Sequence, residues 1–155
     1  MIQKWSRYAV LTLFFDYPRK AFLIRELSRT IGLAQPSVDL HLKALQQEGL
    51  VCKEKKGLYP SFRAARENPL YKLLKWQNLV LRLHQTKLLE LLEKATYPTC
   101  IVLFGSGAQG EDVEDSDVDL FVQAKPVTLD LQQFEKLLKR KIQLKILLQH
   151  LLKLS

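Results

Sequence analysis

Phe104-Gly105-Ser106, then ten residues from Gly107 to Ser116, then Asp117-Val118-Asp119-Leu120 form the stretch on which the fold turns. Just before it, Ile101-Val102-Leu103-Phe104 is a short continuous apolar run, the pattern of a buried strand. At its far end Val118, Leu120 and Val122 alternate with Asp117, Asp119 and Phe121, the period-two pattern of a second strand. Asp117 and Asp119 therefore leave the same face. Two carboxylates side by side repel unless a cation lies between them, and Mg2+ takes oxygen ligands that it shares with substrate phosphates. Gly105 permits a close turn after the first strand. Ser106 and nearby backbone N–H groups suit a triphosphate tail, with Gly107 and Gly110 keeping the approach open. Such a design fits phosphoryl or nucleotidyl transfer, in which positioning and charge neutralisation do most of the chemistry.

Working outward toward the C-terminus, Leu129 to Lys139 reads as a helix with Leu131, Phe134, Leu137 and Leu138 toward a core. Ile142-Gln143-Leu144-Lys145-Ile146 reads as a third strand, followed by a leucine-rich helical end. The segment resembles the minimal nucleotidyltransferases of the DNA polymerase β superfamily. Their signature is an apolar residue, Gly-Ser, a spacer of about ten residues and Asp-apolar-Asp, and the resemblance covers about residues 96–150. It implies that Asp117 and Asp119 bind catalytic metal, Mg2+, and that Gly105 and Ser106 contact the phosphates of a nucleoside triphosphate, ATP being the expected one. The products would be a nucleoside monophosphate joined to an acceptor and free pyrophosphate.

Two positions depart from that pattern. The family's third carboxylate, on the next strand, corresponds to Gln143, which is neutral and cannot act as a general base. Gly107 and Gln109 stand where many relatives carry Arg. Glu111, Asp112, Glu114 and Asp115 either supply a substitute carboxylate or form a solvated acidic loop, and the second reading is preferred.

Upstream, apolar residues at helical spacing over Ile2–Phe15, Trp5 and Phe14 among them, predict a first helix that Asp16-Tyr17-Pro18 stops. Ile24 to Ile31 predicts a short helix closed by Gly32. Gln35-Pro36-Ser37 opens another, with Pro where its missing N–H costs least, running through Val38, Leu40, Leu42 and Leu45 to Gly49. Two short helices joined by a tight glycine turn make a helix-turn-helix. Leu50–Glu54 and Leu58–Arg63 predict strands joined by a turn at Lys56-Gly57. The whole resembles the winged-helix transcription regulators over roughly residues 1–67. That implies groove contacts from Gln35, Ser37 and Lys43, and phosphate contacts from Lys53, Lys55, Lys56 and Arg63, although these cations also suit a merely soluble hairpin. His41 has no Cys or His partner nearby for a metal, His84 and His150 are read as helix-surface or packing residues, and Tyr8, Tyr17 and Trp76 are assigned to the core.

Between the two lies a helical tract from Leu70 to about Ala95. Its Leu74, Leu81 and Leu88 recur every seven residues, and Trp76, Leu79, Val80 and Leu83 mark another side. A helix apolar on two sides must bury both, which makes a homodimer plausible beside burial within the chain.

Charge divides in the same way. Residues 1–95 hold 17 Lys/Arg against 8 Asp/Glu, and residues 96–155 hold 7 against 8, six of them between Glu111 and Asp119. A basic N-terminal part suits a polyanion. With 155 residues, 47% of them hydrophobic and 26% charged, the chain can build ordinary cores without staples. No apolar run reaches the length of a membrane span, and Cys52 and Cys100 have no metal-type spacing, so a cytoplasmic protein with reduced thiols is expected. The expected architecture is α+β: a winged helix-turn-helix over 1–67, a long linking helix over 68–95, and a small mixed-sheet nucleotidyltransferase domain over 96–155. The function implied is Mg2+-dependent transfer of a nucleoside monophosphate to an unknown acceptor by a protein that binds double-stranded DNA and no membrane. The alternative is a transcription regulator whose degenerate domain senses nucleotide without turnover. An antitoxin-like partner role rests on family analogy alone.

Overall fold

The computed structural model describes residues 5–55 and 58–148. The expected turn at Lys56-Gly57, the phosphate contact of Lys56, His150 and the leucine-rich C-terminal end lie outside the described residues. The chain divides into two compact units, the first ending at Lys75 and the second beginning at Trp76.

In the first unit α1 (Ser6–Asp16) is followed by the two-residue strand β1 (Phe22–Leu23), which leads into α2 (Ile24–Ile31) and α3 (Gln35–Gln47). The Glu26 carboxylate accepts from the Leu23 N–H at 2.8 Å, closing the start of α2. Gly32 ends α2 at φ +76°, a left-handed conformation that favours glycine. Next, β2 (Val51–Lys55) and β3 (Pro60–Ala64) form an antiparallel hairpin, and β1 pairs with β3 to give the order β1-β3-β2. Val10, Phe14, Phe15, Leu27, Val38, Leu42, Leu45, Leu50 and Phe62 fill the core between helices and sheet. Tyr71 completes it, its hydroxyl donating to the Phe14 carbonyl at 2.7 Å.

Several apolar residues face outward instead. Trp5 and Leu40 are 68% and 66% exposed, and Tyr17 and Trp76, expected in the core, are 39% and 38% exposed. Leu40 lies between Val38 and Leu42, both of which point inward. A helix of 100° per residue cannot turn all three to one side.

The tract expected as one linking helix is two, α4 (Pro69–Gln85) and α5 (Leu88–Thr96), broken at Lys87, which adopts φ +62°. The break resets the helical phase, so the sevenfold leucine repeat does not form one stripe. Leu74 packs against the first core, Leu81 is exposed, and Leu88 is fully buried in the second.

The second unit carries α5, β4 (Cys100–Phe104), the short helix α6 (Gly105–Gln109), β5 (Val118–Gln123), α7 (Gln132–Leu138) and β6 (Ile142–Leu147). Its sheet has the order β4-β5-β6, antiparallel between the first pair and parallel between the second. Val118, Leu120 and Val122 of β5 point to one face, where Leu79, Leu83, Leu88, Leu92, Phe134 and Leu138 cover them. Strand β4 is less buried than its apolar run predicts: Ile101 and Leu103 pack inward, while Val102 is 43% exposed on the other face. Arg82 donates to the Leu138 carbonyl at 2.8 Å, satisfying an end carbonyl of α7.

Candidate functional site

The face of the sheet opposite the helices carries the chemistry. Asp119 lies in the middle of a row, paired with Phe104 on β4 and with Gln143 on β6. Gly105 begins α6 at φ +69° and lies directly against Asp119: a Cβ built on it would fall 2.2 Å from Asp119 Oδ2. Only glycine satisfies both demands, the left-handed backbone and the missing side chain. Gly107 is buried two residues further on, where a Cβ would meet Leu79 at 3.0 Å, and this close approach seats α6 on α4.

The loop from Gly110 to Ser116 returns the chain to the site through four hydrogen bonds. The Glu111 N–H donates to the Ser106 carbonyl at 3.0 Å. Ser116 Oγ accepts from the Val113 N–H at 2.9 Å, while the Ser116 N–H donates to the Val113 carbonyl, making a tight turn immediately before Asp117. Asp112 is 3% exposed and receives Arg140 at 2.6 Å, in an ion pair whose side chains are 4% and 9% exposed. The preferred reading of this loop as solvated is corrected at that residue: Asp112 fastens the loop to the segment between α7 and β6. Sequence reasoning missed Arg140, which carried no local signal beyond its place in a basic run.

Gln143 takes part in the aspartate pair directly, its Nε2 donating to Asp117 Oδ2 at 3.0 Å. The register puts it on the same face as both carboxylates, at the position where the related pattern has its third one. The fit to a divalent cation follows from this donor set. Asp117 and Asp119 offer carboxylate oxygens on one face, and among the described residues no group of three or more His, Cys, Asp or Glu is arranged to hold a metal. Mg2+ is commonly held by one or two carboxylates plus substrate phosphates, and the pair suits that mode. A cage made by the protein alone is not what these residues build.

In the first unit Gln35 and Ser37 are exposed at the start of α3, and Lys53 and Lys55 are exposed on β2. The other two described cations expected to meet DNA have partners within the protein: Lys43 pairs with Asp39 at 2.7 Å and Arg63 with Glu54 at 2.7 Å. The Lys43 and Arg63 side chains are 66% and 50% exposed, and surface pairs are weak enough to exchange for phosphate. Two residues not singled out from the sequence join this surface. The Arg25 guanidinium lies 5.9 Å from the centre of the Tyr59 ring, and both line a hollow of about 260 Å3 with Gln35 and Pro60. Their signal was the exposed position of Arg25 on α2 and an aromatic at the hairpin end, both too common to single out.

A helix-turn-helix with a hairpin beside it, joined in one chain to a three-stranded unit with Gly-Ser against an aspartate pair, defines a DNA-binding module fused to a nucleotidyltransferase-fold domain. Family comparison finds similarity in both parts. Residues 86–154 match polymerase beta nucleotidyltransferases, and residues 10–53 match the bacterial regulatory proteins of the arsR family. Compared with curated proteins and with solved structures, the chain gives no match. No helix among the described residues is long and apolar enough to cross a membrane.

Proposed function

We propose that the protein is a DNA-binding regulator whose nucleotidyltransferase-fold domain binds a nucleoside triphosphate with Mg2+ and does not turn it over. One observation carries the choice between sensing and transfer: Gln143 lies in the aspartate row and donates to Asp117. A carboxamide at that position can neither take a proton from an acceptor nor supply a third negative charge. Asp117 and Asp119 would hold the ion, and Gly105 and Ser106 would approach the phosphates. When bound, Mg2+ neutralises phosphate charge. What the chain does is hold both carboxylates on one face: the Gly105 conformation and the Asp112–Arg140 pair position Asp119 and the return to Asp117. Cys52 and Cys100 are free thiols, in keeping with a role in the cytoplasm, where DNA and nucleotides coexist.

The intact Gly-Ser and Asp-Val-Asp support the competing reading, a transferase acting on an unknown acceptor. Calorimetry with ATP and Mg2+, run beside a pyrophosphate-release assay, separates the two. Expected are Mg2+-dependent binding, its loss in Asp117→Ala/Asp119→Ala, and no release. Release that requires both aspartates would establish the transferase, and binding that survives the double substitution would put the nucleotide elsewhere.

A further inference from the structure

Lys145 lies two residues beyond Gln143, on the same face of β6. Its Nζ reaches to 5.4 Å from the centre of the Phe104 ring on β4. Strands β6 and β4 are separated by β5, and two strand spacings amount to about 9–10 Å. A side chain going from one to the other crosses β5, and the register names what it crosses. Lys145 is paired with Phe121, and Phe104 is paired with Asp119, so the lysine runs diagonally over this corner of the sheet. Its ammonium therefore sits on the aspartate face, against the residue that immediately precedes Gly105-Ser106. It rests on an aromatic ring there and pairs with no carboxylate among the described residues. A cation over a partly exposed phenylalanine ring is weakly held and can turn to a stronger acceptor.

The charge on this face follows. Gln143 contributes none, Asp117 and Asp119 contribute two negative charges, and Lys145 returns one positive charge. Three carboxylates with two divalent ions would leave this face one net positive charge, and two carboxylates beside an ammonium leave the same with a single ion. A second divalent ion on this face would also meet the repulsion of the ammonium. We propose that this site takes a nucleoside triphosphate with a single divalent ion, the Lys145 ammonium serving as the second counter-charge to the phosphates. The proposal rests on the nucleotide-binding reading above and specifies how the ligand is held.

The test uses the full chain, a non-hydrolysable ATP analogue and Mn2+, with bound ions counted by electron paramagnetic resonance. One Mn2+ per bound analogue is expected in the unsubstituted protein, and a second ion in the double variant Gln143→Asp/Lys145→Met. Lys145→Met keeps the alkyl chain over Phe104 and removes only the charge. It is expected to weaken the triphosphate analogue about tenfold or more and AMP by less than about twofold, while Lys145→Arg keeps most of the affinity. Two Mn2+ ions in the unsubstituted protein, or triphosphate affinity unchanged in Lys145→Met, would overturn the proposal. Loss of binding in Asp117→Ala/Asp119→Ala with unchanged binding in Lys145→Met defeats this inference alone. Unchanged binding in the aspartate variant defeats the nucleotide-site reading itself, and no nucleotide binding by the unsubstituted protein defeats both.

Discussion

Gly105 concentrates the residue-scale argument, because its backbone and its missing side chain are both required. A methyl group there would fall 2.2 Å from Asp119 Oδ2 at φ +69°. Gly105→Ala is therefore expected to cost about 1–3 kcal/mol of stability and to push the Asp119 carboxylate out of its row. Chemical denaturation should read the first effect, and calorimetry with ATP and Mg2+ the second, as lost binding in a protein that still folds. Its place after an apolar strand and before Ser106 made this glycine conspicuous in the sequence. Asp112 was not legible in the same way. It is one of six carboxylates in nine residues, and its buried contact with Arg140, 28 residues away, is what gives it a structural role. Composition within a loop does not reveal which member of a charge cluster finds a buried partner.

At the scale of elements, the boundaries of α2 and α3 followed the sequence closely, because glycine and proline mark them through local backbone preferences. The α4–α5 break did not, for no Gly or Pro stands at Thr86-Lys87. Helix propensity allows the tract to continue there, and burial decides otherwise: the turn lets Leu88 and Leu92 both enter the second core, each 0% exposed. Leu88→Ala is expected to destabilise the protein by about 2–5 kcal/mol, as a large-to-small change in a filled core. Leu81→Ala, at a partly exposed position of the same sevenfold series, is expected to cost far less. Thermal melts of the two variants side by side test the phase shift, and equal costs would restore a continuous stripe.

For the molecule as a whole, charge separates two kinds of work. Residues 1–95 carry the basic excess, and six of the eight acidic residues of the remainder fall between Glu111 and Asp119. DNA affinity should fall steeply with added salt, because Lys and Arg release condensed counterions from phosphate. Lys53→Ala and Lys55→Ala should each weaken binding without regard to DNA sequence, and each should reduce the slope of log affinity against log salt by about one. Electrophoretic or fluorescence titrations at several salt concentrations measure both effects. An unchanged slope in either variant would remove that lysine from the interface.

The sequence by itself determined what depends on local pattern. The helix-turn-helix, the hairpin, and the strand–glycine–strand unit with two aspartates on one face all follow from periodicity, turn residues and spacing. Tertiary structure decided what depends on partners distant in the chain. It turned Gln143 toward Asp117 through a parallel register that one residue of slip would reverse. It drew Lys145 across to Phe104, paired Asp112 with Arg140, and broke the linking helix where two leucines needed one core. The physical reason is common to all four. Backbone preferences act over a few residues, whereas register, ion pairing and burial are settled only when separate elements meet.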